Sequence, residues 1–272
     1  MGKLLDFRAR TASTNDLALE AGRAGAQHGA TFVADVQDKG RGRRGREWKS
    51  PPGLGLLFSV LTRPAKISAS DTGWIPLLAG LACREGVRDT TGLQLALKWP
   101  NDIVLPAAKL PGWRKLGGIL CESVLPAKDN VTPSAGARSN AYVVIGIGVN
   151  VNHTQAELPL HTKAPPSSLR IEKRRAVERT ALLGSILEHL ENCLLALEAP
   201  ASTMKLKQRI EDHLREWWTR DTTLRVQPGS EEDGEPIVEG AFGRLDDFGR
   251  LVVLDRSGRV LTFADAEIVG VS

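Results

Sequence analysis

Four arginines and three glycines crowd into nine residues, Gly40-Arg41-Gly42-Arg43-Arg44-Gly45-Arg46-Glu47-Trp48. Glycine removes side-chain bulk and guanidinium groups supply forked donors, so this composition suits a loop that wraps an anion. The same letters contain GxGxxG, a dinucleotide fingerprint that needs a strand before it and a helix opening inside it. Residues 30–36 are β-branched and apolar, as the strand requires, but Lys49-Ser50-Pro51-Pro52-Gly53 forbids the first turns of any helix. With no helix end to hold a pyrophosphate, the anion must be met by the arginine side chains themselves. Spacing alone leaves a solvated loop, a localisation signal and an RNA-binding tail open. The run lies between two apolar strand candidates, residues 30–36 and 55–61, which favours a loop inside a compact domain. Its glycines and mutually repelling charges predict disorder until an anion joins them.

Other residues with chemical capacity are spread along the chain. Ser13-Thr14-Asn15-Asp16 precedes an apolar run in the capping-box pattern, with Ser13 as the cap, and the same hydroxyls and amide offer donors and an acceptor to a ligand. Lys98-Trp99-Pro100-Asn101-Asp102 reads as a corner between two strands, because proline removes a donor and Asn and Asp tolerate turn geometry. Lys115 stands at the entrance of a strand entered through Gly117 and Gly118, either as a solvated strand end or as a charge aimed at the same anion. Asn150 and Asn152 end a long apolar run at residues 141–152. His189 and Cys193 are four apart on a helical pattern, but no further ligand lies near in sequence, so they read as packing residues.

The elements that must position these groups are legible in the periodicity. Ile75, Leu78, Ala79, Ala82 and Cys83 recur at helical spacing after Trp74, and residues 174–197 and 203–219 read as two further helices. Residues 141–152 are apolar on both alternating faces, hence a central buried strand. Residues 123–140 and 153–166 read as surface loops. From residue 220 the pattern becomes short strands with turn signals and an acidic stretch at 231–235, giving a small C-terminal β-barrel that must pack on the larger part. The expected organisation is a domain at 1–219 followed by a second at 220–272.

The 272 residues are 42% hydrophobic and 25% charged, ordinary for a globular chain with a sizeable core. The net charge of +4 is matched by the four arginines of the loop, so basicity is local and a DNA-binding face is not expected. Cys83, Cys121 and Cys193 are too few and scattered for a disulfide framework, and no signal peptide or membrane-length segment appears. These features predict a cytoplasmic protein.

Taken together, Ser13-Thr14-Asn15, Gln37 before GRGRRGREW, KWPND at 98–102, KLGGIL at 115–120, GIGVNVN at 146–152 and a C-terminal barrel closely resemble the biotin protein ligases, over almost the whole chain. The resemblance implies an α+β fold: a mixed β-sheet backed by helices, similar to class II aminoacyl-tRNA synthetases, with a small SH3-like barrel. It implies that biotin and ATP give biotinyl-5′-adenylate, and that a lysine of a biotin carboxyl carrier protein domain of a carboxylase then takes the biotinyl group. That reaction joins two anions and needs no covalent enzyme intermediate, which agrees with a chain rich in cationic groups and without a nucleophile motif.

By matching position, the resemblance assigns biotin binding to Ser13, Thr14, Asn15, Gln37, Gly40, Arg41, Gly42, Arg43 and Lys115. Arg44, Arg46, Trp48, Asn101, Asp102, Asn150 and Asn152 are assigned to ATP and the adenylate. Lys115 and Arg43 carry the catalytic roles, with Asp102 as a ligand for Mg²⁺. The chain departs from the pattern in four places. No room for a DNA-binding domain precedes residue 13; residues 106–114 and 125–140 are longer than usual; the loop after Asn152 lacks an aromatic to cover adenine; and Ala266 stands where a glycine is common before Glu267. A monomer or homodimer, free of DNA and membrane, is expected. The alternatives are a lipoate-type protein ligase of the same fold, or a nucleic-acid-binding module that uses the arginine loop.

Overall fold

The computed structural model describes residues 1–63, 69–106, 112–124, 141–160, 162, 164–219, 221–229 and 235–272. Most of the two long insertions and the acidic stretch before Glu235 fall outside these residues.

Seven strands form one sheet in the order β1-β2-β3-β7-β6-β5-β4. They are β1 (Leu5–Thr11), β2 (Thr31–Gln37), β3 (Gly55–Thr62), β4 (Ala96–Lys98), β5 (Asp102–Pro106), β6 (Trp113–Val124) and β7 (Tyr142–Asn150). Only β1 and β2 run parallel; every other pair is antiparallel, giving the expected mixed sheet. β3 and β7 lie at the centre and are buried along almost their whole length, as their two-faced apolar pattern requires. β6 extends to Val124, so residues 123 and 124 belong to a strand rather than to the loop expected there.

Strand alternation divides the sheet into two faces. On one face Val33, Phe58, Ile145 and Ile147 pack under α2 (Ile75–Thr91), which also packs on α4 (Arg179–Ala196), with α5 (Pro200–Trp217) beside it. α2 carries Pro76 in its first turn and ends at Gly92 in the left-handed region (φ 76°), a start and stop that sequence rules anticipate. The short helix α3 (Leu169–Lys173) ends at Arg174, which has φ 57° and is a stop rather than the helix start expected from sequence. On the opposite face α1 (Thr14–Arg23) covers Phe32, Leu61 and Val144 and leaves the neighbouring part of the sheet open.

Beyond α5 a second sheet has the order β11-β10-β9-β8-β12, built from β8 (Thr223–Pro228), β9 (Val238–Leu245), β10 (Leu251–Asp255), β11 (Val260–Phe263) and β12 (Ala266–Val271). It is antiparallel throughout, consistent with the small SH3-like β-barrel expected, and among the described residues no ladder joins its outer strands β11 and β12. Its inner residues Leu224, Val226, Phe242 and Ile268 belong to the same hydrophobic core as α2 and α5. Trp217 stacks on Trp218, which meets Phe242 edge-on. Trp74 and Trp99 donate their indole N–H to the carbonyls of Asp247 and Gly249 at 2.9 and 3.0 Å. The tight approach of this turn to Gly73 leaves no room for a Cβ there. The second sheet is thereby clamped to the corner that carries Lys98 and Asp102.

Candidate active site

The open part of the α1 face is a trough floored by glycine. Gly118 of β6 sits opposite Gly148 of β7, and Leu120 opposite Gly146, so three of these four facing positions present no side chain. A Cβ on Gly148 would lie 2.7 Å from the Trp48 ring, and one on Gly146 would overlap the Asn15 amide. The glycines are therefore required for close approach, and the trough widens into a cavity of about 760 Å³.

At one end, the start of α1 is tied to the sheet by a buried polar network. Thr14 donates its backbone N–H and its hydroxyl to Gln37 Oε1 at 2.8 and 3.0 Å. Ser59, fully buried on β3, places its hydroxyl 2.7 Å from Thr14 Oγ1 and 2.6 Å from Asn15 Oδ1, its single hydrogen serving one of the two at a time. Asn15 Nδ2 in turn donates to Glu122 Oε2 at 2.6 Å and to the Leu120 carbonyl at 3.3 Å. Each member fixes the next, which presets the rotamers that face the cavity. Ser13 is the N-cap residue of α1 and lines the cavity, but its side chain makes no capping bond, unlike the capping-box reading.

Lys115, Asp102 and Lys98 form a charged cluster beside Gly118. Lys115 Nζ lies 2.5 Å from Asp102 Oδ1, and Lys98 Nζ lies 3.5 Å from Oδ2. Burial pushes the Asp102 carboxyl up, but the two ammonium charges outweigh it and hold it below the usual carboxylate range. Burial lowers Lys98, whose ammonium also sits 5.0 Å from the Trp113 ring centre. Both oxygens of Asp102 are thus occupied by cations, and the described residues hold no group of three or more His, Cys, Asp or Glu able to bind a metal. The expected role of Asp102 as a Mg²⁺ ligand does not fit this geometry.

The arginine run forms a hairpin. Arg41 bridges Glu47, Gly42 N donates to Arg46 O at 2.7 Å, and Arg44 and Gly45 turn the chain at φ 55° and 69°. Trp48 N donates to Gly40 O at 2.8 Å, and a Cβ on Gly40 would overlap the Trp48 carbonyl. The Trp48 ring closes over Gly118 and Gly148, and its Nε1 is buried without a hydrogen-bond partner. Charge repulsion, the reason to expect disorder, is relieved by the chain's own carboxylates. Arg41 bonds Asp16 at 2.6 Å and Glu122 at 3.1 Å. Arg44 bonds Asp265 at 3.0 Å, Arg46 pairs with Glu267, and Arg43 pairs with both Asp265 and Asn101 Oδ1, the latter at 3.2 Å. Burial lowers the Arg43 guanidinium from its ordinary value against the opposing charge of Asp265.

Of the residues expected at the site, Ser13, Thr14, Asn15, Gln37, Arg41, Gly42, Arg43, Arg44, Arg46, Trp48, Asn101, Asp102, Lys115 and Asn150 line this one cavity. Gly40 acts behind the wall as described. Asn152 points elsewhere: its amide accepts from Val177 N at 2.9 Å and donates to Val177 O at 3.0 Å, pinning the loop that follows β7. Asn150 donates to Ser167 O at 3.0 Å, so it too braces that loop while lining the cavity. Pro159, Thr162, Ala164 and Pro166 supply the non-aromatic wall there. Lys98 of the expected corner lines the cavity as well, whereas sequence reasoning gave no role to Ser59 or Glu122 and did not foresee that Glu267, Ile268 and Val269 of the C-terminal sheet reach it. Glycines at alternate positions of a buried strand were the available signal for the trough. His189 pairs with Asp89 at 2.8 Å, and Cys193 is buried, as packing residues should be.

Residues 7–150 match the model of the Biotin/lipoate A/B protein ligase family. The chain is similar to the bifunctional ligase/repressor BirA of Bacillus subtilis, 33% identical over 187 residues, and the match covers 69% of this chain and 52% of that protein. The chain therefore spans about half the length of that relative. Against the biotin--[acetyl-CoA-carboxylase] ligase of Mycobacterium tuberculosis it is 29% identical over 269 residues, covering 97% of this chain and 88% of that one. The fold is similar to that of the biotin protein ligase of Aquifex aeolicus in complex with biotin and ATP, with a TM-score of 0.73, 26% identity and coverage of 99% and 98%.

Proposed function

The chain belongs to the biotin/lipoate A/B protein ligase family, and from that premise we propose that it is a biotin protein ligase. It activates biotin with ATP and transfers the biotinyl group to a lysine of a carboxylase's biotin carboxyl carrier domain. The observation that carries the reading is that a single cavity of about 760 Å³ unites the polar start of α1, the arginine hairpin and Lys115. The Mycobacterium tuberculosis relative of nearly equal length is a biotin--[acetyl-CoA-carboxylase] ligase, and the similar Aquifex structure holds biotin and ATP.

In the first step a biotin carboxylate oxygen attacks the α-phosphorus of ATP, and the bond to the bridging oxygen of pyrophosphate breaks. Two anions must meet, so Lys115 and Arg43 supply the nearby positive charge. Thr14 and Asn15, held by Ser59, and Gln37, held by Thr14, orient the polar head of biotin, while the glycine floor and Trp48 enclose its apolar portion. The unpaired Trp48 Nε1 gives the bound substrates a buried donor. Arg44, Arg46 and Asn101 face the nucleotide. Mg²⁺ enters this reading as the counter-ion that ATP carries on its triphosphate, not as an ion held by Asp102. In the second step the acceptor lysine amine attacks the anhydride carbonyl, an amide forms, AMP leaves with the bonding pair, and the amine proton passes to solvent.

The test is acid-dependent exchange of labelled pyrophosphate into ATP with purified protein. Biotin is expected to drive exchange and lipoate is not. Exchange driven by lipoate alone would move the chain to the lipoate side of the family, and salt-sensitive binding to DNA or RNA without exchange would overturn ligase activity altogether.

A further inference from the structure

Two buried side chains behind the cavity wall, Ser50 and His153, join segments that form two of its sides. Ser50 stands two residues past Trp48, on the chain leaving the arginine hairpin, and His153 stands three past Asn150, at the exit of β7. Ser50 Oγ and His153 Nε2 are 3.0 Å apart, and His153 is 1% exposed. Gly55 makes the space for this contact, since a Cβ there would lie 2.4 Å from Ser50 Oγ. The His153 carbonyl accepts from the hydroxyl of Ser168, the cap of α3, at 2.6 Å. Among the described residues, the Ser50 contact is the one hydrogen bond from residues 49–52 to a distant part of the chain. The chain is next held at Gly53 N, which donates to both Asp35 oxygens at 3.1 Å, and at Leu54 O, which accepts from Asn152 N at 2.7 Å.

The proton inventory sets the state of the ring. Ser50 has one hydroxyl hydrogen and a second acceptor near it, the Pro51 carbonyl at 3.3 Å. Donating to Pro51 O lets Ser50 accept from Nε2–H, and the buried, unpartnered Nδ1 is then a lone pair and not an orphaned N–H. Protonation would put a hydrogen and a charge at Nδ1, where nothing accepts them. Burial accordingly lowers the ring below the ordinary imidazole value, against the weaker opposing pull of Glu157. The Glu157 carboxylate is held low by the Thr154 backbone N–H and hydroxyl, so it stays charged. The other charges on the enclosing elements have their own partners: Arg170 of α3 donates to Asn152 O, Asp35 of β2 pairs with Arg179 of α4, and Glu47 pairs with Lys49.

We propose that His153, in its neutral form, is a positioning residue that acts through Ser50 to hold Trp48 over the cavity and so retains the adenylate until the acceptor arrives. The role rests on the ligase reading. Opening the contact exposes the ring and returns it to about 6.5, its ordinary value. The closed form binds fewer protons, so closure is complete above that value and weakens as pH falls below it, toward the lowered value of the buried ring.

The assay is the off-rate of preformed biotinyl-adenylate from the full chain between about pH 5 and 8, beside biotin-dependent pyrophosphate exchange as the control for ligase chemistry. At neutral pH Ser50→Ala and His153→Phe should each release the adenylate about tenfold faster, as for a lost buried hydrogen bond that leaves its partner unpaired. The double variant should be no worse than one change, because both remove the same contact. In the unaltered chain the off-rate should climb in acid by up to about tenfold per pH unit below 6.5. His153→Gln keeps an N–H near the Nε2 position and cannot titrate, so it should match the unaltered chain at neutral pH and lose the acid rise. Should His153→Phe fail to fold by circular dichroism, Ser50→Ala and His153→Gln carry the test. Hydrogen exchange in the ligand-free chain gives a readout apart from ligase chemistry: Ser50→Ala should speed exchange at the Gly53 and Asn152 amides. Pyrophosphate exchange that does not depend on biotin would overturn the ligase reading and this role with it. With biotin-dependent exchange present, an unchanged off-rate or unchanged amide protection in Ser50→Ala, an additive double variant, or an acid rise that persists in His153→Gln would overturn the positioning role alone.

Discussion

Replacing Lys115 by alanine separates chemistry from architecture at the centre of the site. Lys115 lies 2.5 Å from Asp102 and 5.9 Å from the centre of the Trp48 ring, with 28% of its side chain exposed. Lys98 cannot take its place: it is 4% exposed and held between Asp102 and Trp113. Loss of one electrostatic contact to a developing phosphoryl charge costs about 10² in rate, or about 2.7 kcal/mol. Adenylation measured by biotin-dependent pyrophosphate exchange should fall by that order. The same variant has a second signature in acid. Asp102 is held below the usual carboxylate range, so the stability it contributes is complete above the unfolded-state value and lost as pH falls through the folded one. Burial raises this carboxyl, and without Lys115 the opposition is left to Lys98 and the more weakly coupled Arg43. The folded-state value therefore moves up, and the acid limb of the stability curve should shift to higher pH. Near wild-type exchange together with a shifted acid limb would refute the catalytic role and leave Lys115 as a structural partner of Asp102.

Arg43→Gly should still form the adenylate but release it about ten- to a hundredfold faster, the equivalent of a charged hydrogen bond of about 1.5–3 kcal/mol; biotin labelling of added albumin detects the escape. Asp265→Asn combined with Glu267→Gln should expose the hairpin to trypsin at Arg43 and Arg44 without ligand, because three of its guanidinium groups lose carboxylate partners, and unchanged cutting would show the hairpin to be held by its own turn. Gly148→Ala puts a Cβ 2.7 Å from Trp48 and should cost about 1–3 kcal/mol by overpacking. A weakened adenylate complex with a retained thermal transition is the expected result, measured by calorimetry beside a melting curve.

Local patterns in the sequence determined the strands and helices whose signals are self-contained. β3 and β7 follow from continuous apolar runs, α2 from helical spacing closed by Gly92, and the Lys98–Asp102 corner from a proline flanked by turn formers. β1 escaped because its faces are both half-exposed at a sheet edge, where neither an apolar run nor a buried alternation marks a strand. The small C-terminal sheet followed from short strands separated by turn signals, but its strand order, with β12 beside β8, is set by packing.

Within the site, the residue types were legible and their partners were not. The arginine run announced an anion loop, yet its order depends on Asp265 and Glu267, and no short-range pattern connects carboxylates so far along the chain to the hairpin. Asn150 and Asn152 look equivalent as letters, but the backbone around Val177 takes both ends of the Asn152 amide and removes it from the cavity. Asp102 carries the chemistry of a metal ligand until Lys98 and Lys115 are folded against it. Periodicity and turn propensity act between neighbours and survive in the linear sequence. Ion pairing and close approach act between groups that only the packed core brings within a few ångströms, so tertiary structure alone decides which charge neutralises which.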